Sequence, residues 1–385
     1  MVEQKSTLEK IIMATLHRTA DVCATDLDLI LTKCEVEFTR LAGGKILITG
    51  GAGFLGYYIV KSIVEFNHRN PEELIELWVL DNFMRGCPPW LKKLESENDI
   101  HLLQYNIIKP LPAEFARVDY IIHAASIASP IFYRLHPIET MDANVLGVRN
   151  LLDQCLNWKQ EGHEVSGMLF FSSSEIYGDP APDAIPTSEN YPGIVSCTGP
   201  RACYDESKRY GETLCVNFAQ AYDIPVKIAR PFNNYGPGLK LSDKRVIPDF
   251  CRDILDGKDI EILSNGSPTR TFAYVADAVA GYFKVLVNGQ AGEAYNIGTV
   301  GPEVSVFTLA EKLAKIGRNE FNYQGRVVRA ESTDPDYLTD NPQRRCPNLS
   351  KSFNELGYEP TITLEEGLAR TVRWYVENQN WKEDQ

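Results

Sequence analysis

The chain is poor in everything that would tie it to a membrane or a nucleic acid. No apolar run in its 385 residues is long enough to span a bilayer. Met1 to Gly44 is broken by Glu9, Lys10, Arg18, Asp21 and Asp26, so no secretory leader is written there and the sequence reads as cytoplasmic. Basic residues number 39 against 52 acidic ones, a formal charge of −13. That balance argues against wide contact with polyanions, nucleic acid and anionic membrane alike, while leaving room for a local basic pocket for phosphates. Histidines are few, six in all, and the nine cysteines show no metal-type pairing. Cys197 and Cys203 stand six apart with no histidine at ligand spacing, so free thiols in a reducing compartment and no metal are expected.

What remains is an ordinary globular composition, 44% hydrophobic and 24% charged, in a length that accommodates a doubly wound α/β unit with a smaller lobe. Residues 1–43 read as a helical extension. Leu27, Ile30, Leu31, Cys34, Phe38 and Leu41 recur at helical spacing behind a Thr25/Asp26 cap, and Gly43 and Gly44 end the pattern. Such an element serves packing or oligomerisation. From Lys45 onward short apolar runs alternate with helical stretches, at Ile46–Ile48, Leu77–Leu80, Tyr120–Ile122, Met168–Phe171 and Val226–Ala229. Alternation of this kind predicts a parallel, doubly wound sheet.

The first strand runs into Gly50-Gly51-Ala52-Gly53-Phe54-Leu55-Gly56. Side chains at 50, 53 and 56 would keep a pyrophosphate away from the backbone N–H groups and the positive end of the following helix. Asp81 ends the second strand, where a carboxylate accepts hydrogen bonds from an adenosine ribose and repels a 2′-phosphate. NAD is therefore expected over its phosphorylated form, although Arg85 stands close by. Gly50, Gly53, Phe54, Leu55, Gly56, Asp81, Asn82 and Ala124 are the predicted cofactor contacts. Residues 44–235 form the predicted Rossmann-type NAD domain, and 236–385 a mainly substrate-binding lobe, some of whose strands can return to the sheet.

Tyr204 and Lys208 are four apart in a helical segment, so both side chains emerge on one face. A nearby ammonium favours the phenolate of a tyrosine and makes it a usable base. Ser172-Ser173-Ser174-Glu175 closes the predicted strand Met168–Phe171, at the carboxyl edge where ligands of such sheets bind.

Gly199-Pro200-Arg201-Ala202-Cys203-Tyr204-Asp205-Glu206-Ser207-Lys208 resembles the catalytic helix of UDP-glucuronate decarboxylases, which are extended short-chain dehydrogenases. Val79–Phe83, His123–Pro130, Ser172–Pro180, Arg230–Pro237, Thr269–Asp277 and Asp340–Pro347 are similar to the same family, so the likeness spans about Gly44 to Trp374. The resemblance implies Tyr204 as base, Lys208 as its activator and cofactor anchor, Ser173 as hydroxyl partner, Glu175 as catalytic carboxylate and Arg270 as the arginine facing the sugar. It assigns Ser126, Tyr133, Glu175, Asn233, Arg245, Arg270, Tyr274 and Arg345 to the nucleotide sugar. It further implies bound NAD, UDP-glucuronate as substrate and a homodimer built through the Tyr204 helix.

Resembling dehydratases carry an acid just before the glutamate, where this chain has Ser174, and simple 4-epimerases usually lack the glutamate. Both features favour decarboxylation over a 4-epimerase or 4-keto-sugar-forming enzyme, and intact Tyr204, Lys208 and Glu175 disfavour a non-catalytic NAD sensor. The chain departs from the family pattern at Met84-Arg85-Gly86, at Asn106 and at Gly238, where the family has an arginine. Lys240, Lys244 and Arg85 are candidates to supply that charge.

Overall fold

The computed structural model describes residues 21–378 except 333, 335, 337 and 338. The chain starts with two short helices, α1 (Val22–Lys33) and α2 (Glu35–Leu41), separated at Cys34. The apolar residues read from the periodicity are all buried, with Ile30, Cys34 and Leu41 at 0% exposure. The cap, however, lies one turn earlier than the sequence suggests. Asp21 Oδ1 accepts the Cys23 N–H at 2.9 Å, which satisfies an otherwise orphan donor of the first turn. Thr25 lies within the helix, and Asp26 is buried there. Residues 1–20 of the expected helical extension lie outside the described part.

The main sheet is parallel throughout, with strand order β11-β6-β5-β4-β1-β2-β3. Its strands are β1 (Lys45–Thr49), β2 (Glu76–Asp81), β3 (Ile100–Gln104), β4 (Tyr120–His123), β5 (Gly167–Phe171), β6 (Val226–Pro231) and β11 (Ala294–Ile297). β5 is buried along its whole length, as a central parallel strand covered on both faces must be. The helices that matter for the site are α3 (Phe54–Arg69), α4 (Pro137–Gln160), α5 (Ala202–Tyr222), α6 (Val246–Leu255), α7 (Val275–Asn288), α8 (Val306–Phe321) and α9 (Leu364–Glu377). The order reverses between β1 and β4, and a crevice opens there at the carboxyl ends of the strands.

Short strands build a lobe above that edge. β7 (Asn234–Tyr235) pairs with β10 (Ala273–Tyr274), and β8 (Ile260–Ile262) with β13 (Val327–Arg329). β9 (Thr269–Arg270) lies between β12 (Val304–Ser305) and β14 (Arg344–Arg345), in a register that sets Arg345 opposite Arg270. α8 and α9 begin at Ser305 and Thr363, whose hydroxyls accept N–H groups of their own first turns.

The extension is tied to both halves. Asp26, at 0% exposure, accepts hydrogen bonds from Tyr58 of α3 (3.0 Å), Tyr274 at the head of α7 (2.7 Å) and Arg370 of α9 (2.8 Å). Lys33 pairs with Asp277 at 2.5 Å. Buried charge of this kind persists only when its lone pairs are met by donors, as here. Among the described residues no helix is long and apolar enough to cross a membrane.

Candidate active site

One cavity of about 950 Å³ runs along the sheet edge, near the upper end of the usual range for ligand pockets. Every site residue predicted from the sequence borders it except Tyr274. Tyr274 is 2% exposed and spends its hydroxyl on Asp26. It therefore belongs to the junction beneath the lobe and not to the substrate site.

The cofactor end fits a dinucleotide closely. A Cβ on Gly50, which sits at φ +77°, would stand 2.6 Å from the Ala125 nitrogen, and one on Gly56 would stand 2.5 Å from the Gly51 carbonyl oxygen. Neither position tolerates a side chain. Gly53 precedes α3 without a side-chain cap, so the first N–H groups of that helix stay available to an anion. Asp81 braces the turn, accepting the Ala52 N–H at 3.0 Å and the Phe83 N–H at 2.8 Å, and burial raises its carboxyl above the ordinary value. Arg85 is directed elsewhere: its guanidinium pairs with Asp243 and lies over the Phe132 ring.

At the reacting end, Ser173 Oγ accepts the Glu175 N–H at 3.1 Å, and the neighbouring Ser173 hydroxyl favours the Tyr204 phenolate against its burial. Burial pushes Tyr204 up to about 12 and Lys208 down to about 7. Lys208 Nζ donates to the Phe171 carbonyl at 2.7 Å and stands 5.8 Å from the centre of the Tyr204 ring. Lys208 is thus engaged with the strand carbonyl, and burial dominates at the Tyr204 phenol. The Tyr133 ring stacks on Tyr204 at 5.1 Å. Ser126 Oγ and Tyr133 Oη are buried without hydrogen-bond partners among the described residues, a state that calls for a ligand or water.

Glu175 is held by two arginines. Arg345 approaches bidentately, with Nη2 at 2.9 Å and Nη1 on the second oxygen, and Arg201 Nη2 donates as well. Although burial opposes ionisation, the two guanidiniums hold this carboxyl well below the usual range. Arg270 behaves differently from the role the resemblance gave it. It lines the cavity, but its N–H groups are spent on the carbonyls of Thr269 (2.8 Å), Gln343 (3.2 Å) and Pro342 and on Asn341 Oδ1 (3.2 Å). Burial first, then Arg345, lowers its guanidinium to about 9. Arg201 is the site residue that sequence reasoning missed. Its signal was its place three residues before Tyr204, one helical turn away on the same face.

Asn233, at φ +40°, donates to the Thr271 carbonyl at 2.9 Å, and Arg245 reaches the Ala128 carbonyl at 3.2 Å and Asp243 at 2.9 Å. Among the described residues no group of three or more His, Cys, Asp or Glu side chains is placed to hold a metal.

Residues 46–298 match the family model described as the NAD dependent epimerase/dehydratase family. UDP-glucuronic acid decarboxylase 6 of Arabidopsis thaliana is 36% identical over 324 residues, covering 84% of this chain and 86% of that protein. UDP-glucuronic acid decarboxylase 1 of Xenopus tropicalis is 34% identical over 333 residues, covering 86% and 72%. Among solved structures, dTDP-glucose 4,6-dehydratase DesIV of Streptomyces venezuelae, with NAD bound, superposes with a TM-score of 0.75 at 27% identity, over 88% of this chain and 99% of that one. UDP-glucose 4-epimerase of Thermotoga maritima gives 0.72 at 26%, over 87% and 99%. The chain belongs to the NAD dependent epimerase/dehydratase family and is an NAD-dependent enzyme that modifies nucleotide sugars.

Proposed function

We propose that the protein decarboxylates a nucleotide-linked uronic acid, converting UDP-glucuronate to UDP-xylose through a 4-keto sugar. The observation that carries this reading is Glu175, ionised by Arg201 and Arg345 beside the Ser173–Tyr204 pair, with Ser174 in the place where a dehydratase keeps its acid. The decarboxylase relatives, at 34–37% identity, support it.

Tyr204 takes the proton of the sugar 4-hydroxyl, and Ser173 holds the same oxygen. Bound NAD supplies a hydride acceptor at C4 in the first step, the donor in the last, and a positive nicotinamide charge. The 4-keto sugar still carries its carboxylate on C5 and is a β-keto acid. The bond from C5 to the carboxyl carbon breaks, carbon dioxide leaves, and the electron pair passes into the C4 carbonyl as an enolate. The protonated Tyr204 and the Ser173 hydroxyl donate to that oxygen where the charge develops. Glu175 is ionised and cannot donate a proton itself, so it orients the water that protonates C5. Arg201, on the same helical turn as Tyr204, offers a guanidinium to the substrate carboxylate, which sits on the carbon next to C4.

The reading extends to a homodimer. Ile138, Met141 and Leu146 of α4 and Tyr210 of α5 are 64%, 42%, 45% and 52% exposed on two helices that pack together. We assign this face to a second copy of the chain. Light scattering of the wild type and of an Ile138→Asp/Met141→Asp variant tests it, with a dimer expected for the first and a monomer for the second.

Incubation with UDP-glucuronate and NAD, followed by mass spectrometry of the nucleotide sugar, tests the reaction. The expected product has lost one carbon dioxide without accumulation of NADH. A product of unchanged mass with an inverted C4 would establish an epimerase instead.

A further inference from the structure

Asp205 follows Tyr204 directly on α5 and takes no part in the proton transfers assigned to its neighbour. It is 5% exposed and lies behind the cavity wall, which Glu175, Arg201 and Tyr204 line and Asp205 does not. Among the described residues nothing donates a hydrogen bond to its carboxyl, and Oδ1 is buried without a partner. Oδ2 stands 3.9 Å from Arg201 Nε, too far for a hydrogen bond, and that Nε is itself buried without an acceptor. A donor and an acceptor thus stand close but unjoined, on residues four apart that one helical turn brings to the same face.

The charges around it are unevenly met. Arg201 and Arg345 both donate to Glu175, and Arg270 acts on the same carboxylate without a hydrogen bond. The other groups facing Asp205 are the exposed Asp340 before β14 and Tyr133 of the short helix Pro130–Leu135. Cys203 and Tyr204 face it from its own helix. Burial first, then the charge of Glu175, raises the Asp205 carboxyl toward neutrality against the pull of Arg201 and Arg345. A neutral carboxyl suits the 3.9 Å approach, since an ionised one buried there would lack a donor.

We propose that Asp205 is the positioning residue for Arg201 and sets how readily the site accepts the carboxylate of a uronic acid, on the reading that Arg201 meets that carboxylate. With Asp205 neutral, Arg201 serves Glu175 through Nη2 and keeps Nη1, which has no acceptor among the described residues, for the sugar. With Asp205 ionised, its Oδ2 closes on Nε, and one more carboxylate shares the guanidiniums that already hold Glu175. Like charges in a buried cluster oppose one another, so the substrate carboxylate binds less well as pH rises. By reciprocity, a bound uronic acid drives a proton onto Asp205. A neutral sugar on the same diphosphate carries no carboxylate and is indifferent to the change.

Calorimetric titration with UDP-glucuronate and with UDP-glucose, from about pH 6 to about 9, tests this on protein loaded with NADH, which cannot accept a hydride. Wild type is expected to lose about fivefold or more of its UDP-glucuronate affinity over that range while its UDP-glucose affinity stays constant. Lys208, which burial lowers to about 7, titrates in the same window but meets both ligands. The difference between the ligands, and its disappearance in Asp205→Asn, therefore isolates Asp205. Parallel curves for the two ligands in wild type overturn the proposal, with no variant needed to fold. An Asp205→Asn protein that keeps the wild-type slope for UDP-glucuronate overturns it as well. A wild type that binds UDP-glucose at least as tightly as UDP-glucuronate at about pH 6 overturns instead the uronic acid reading on which it stands.

Discussion

Two largely buried carboxylates, each beside arginine, sit in different regions and titrate in opposite directions. Glu175, at the sheet edge, has 20% of its side chain exposed to the cavity and is held by Arg201 and Arg345 well below the ordinary carboxylate range. Asp26, in the extension, is fully buried, and two phenols with one guanidinium leave it raised to about 6 because burial dominates. At Asp26 the Tyr274 phenol, then Arg370 and Tyr58, favour the charged form without overcoming burial, whereas at Glu175 two guanidiniums reverse the balance. The same residue chemistry therefore builds a charged group lining the cavity in one place and a structural junction in the other.

The widest separation is expected between Glu175→Gln and Asp26→Ala. Glu175→Gln should lower kcat about 100-fold or more even where it remains folded. Asp26→Ala leaves Arg370 and two phenols without their buried acceptor and should cost about 3–5 kcal/mol of stability. Its kcat, measured below the new melting point, should stay within a few-fold of wild type. Equal losses of activity in both variants would erase the distinction between the two regions.

Removing one guanidinium from each cluster sharpens the comparison. Arg201→Gln should bring Glu175 back toward the ordinary carboxylate range, adding an acid limb to the pH profile of kcat that the wild type lacks. Arg370→Gln should leave that profile alone and lower stability by about 1–3 kcal/mol, read by denaturant unfolding.

The smallest effect is the pH dependence of stability. Asp26 binds its proton more tightly folded than unfolded, so its contribution is present below about pH 4 and is lost as pH rises through about 6. Glu175, with its folded value depressed, contributes above the unfolded value of about 4.3 and loses that contribution as pH falls. Unfolding free energies at several pH values should show the gap between wild type and Asp26→Asn widening from pH 7 to 4. The gap between wild type and Glu175→Gln should narrow below about pH 5. Parallel curves would contradict the assigned shifts.

These two clusters also mark where the sequence is legible. The glycine turn, Asp81 and the Tyr204–Lys208 pair were readable because their chemistry is local: a turn after a strand, or one face of one helix. The Glu175 cluster was readable in part. Its carboxylate follows β5 directly, but Arg345 reaches it from 170 residues away, through the pairing of β14 with β9. The Asp26 junction was not readable, since its partners lie at 58, 274 and 370, and a lone aspartate near a helix start looks like a cap. Tyr274 was misread for the same reason. It follows Arg270 in a stretch resembling the family, yet the chain turns its ring into the core against Asp26. Arg85 and Asp243 come together across 158 residues, and spacing carries no trace of that contact.

The central claim is that Glu175 and Tyr204 serve decarboxylation through a 4-keto sugar, and its most direct test is turnover of UDP-glucuronate in deuterium oxide. The account predicts UDP-xylose with one carbon-bound deuterium at C5, one carbon dioxide released per sugar and no net NADH. A sugar that keeps its carboxylate, whether epimerised at C4 or left as the keto acid with NADH accumulating, would contradict it.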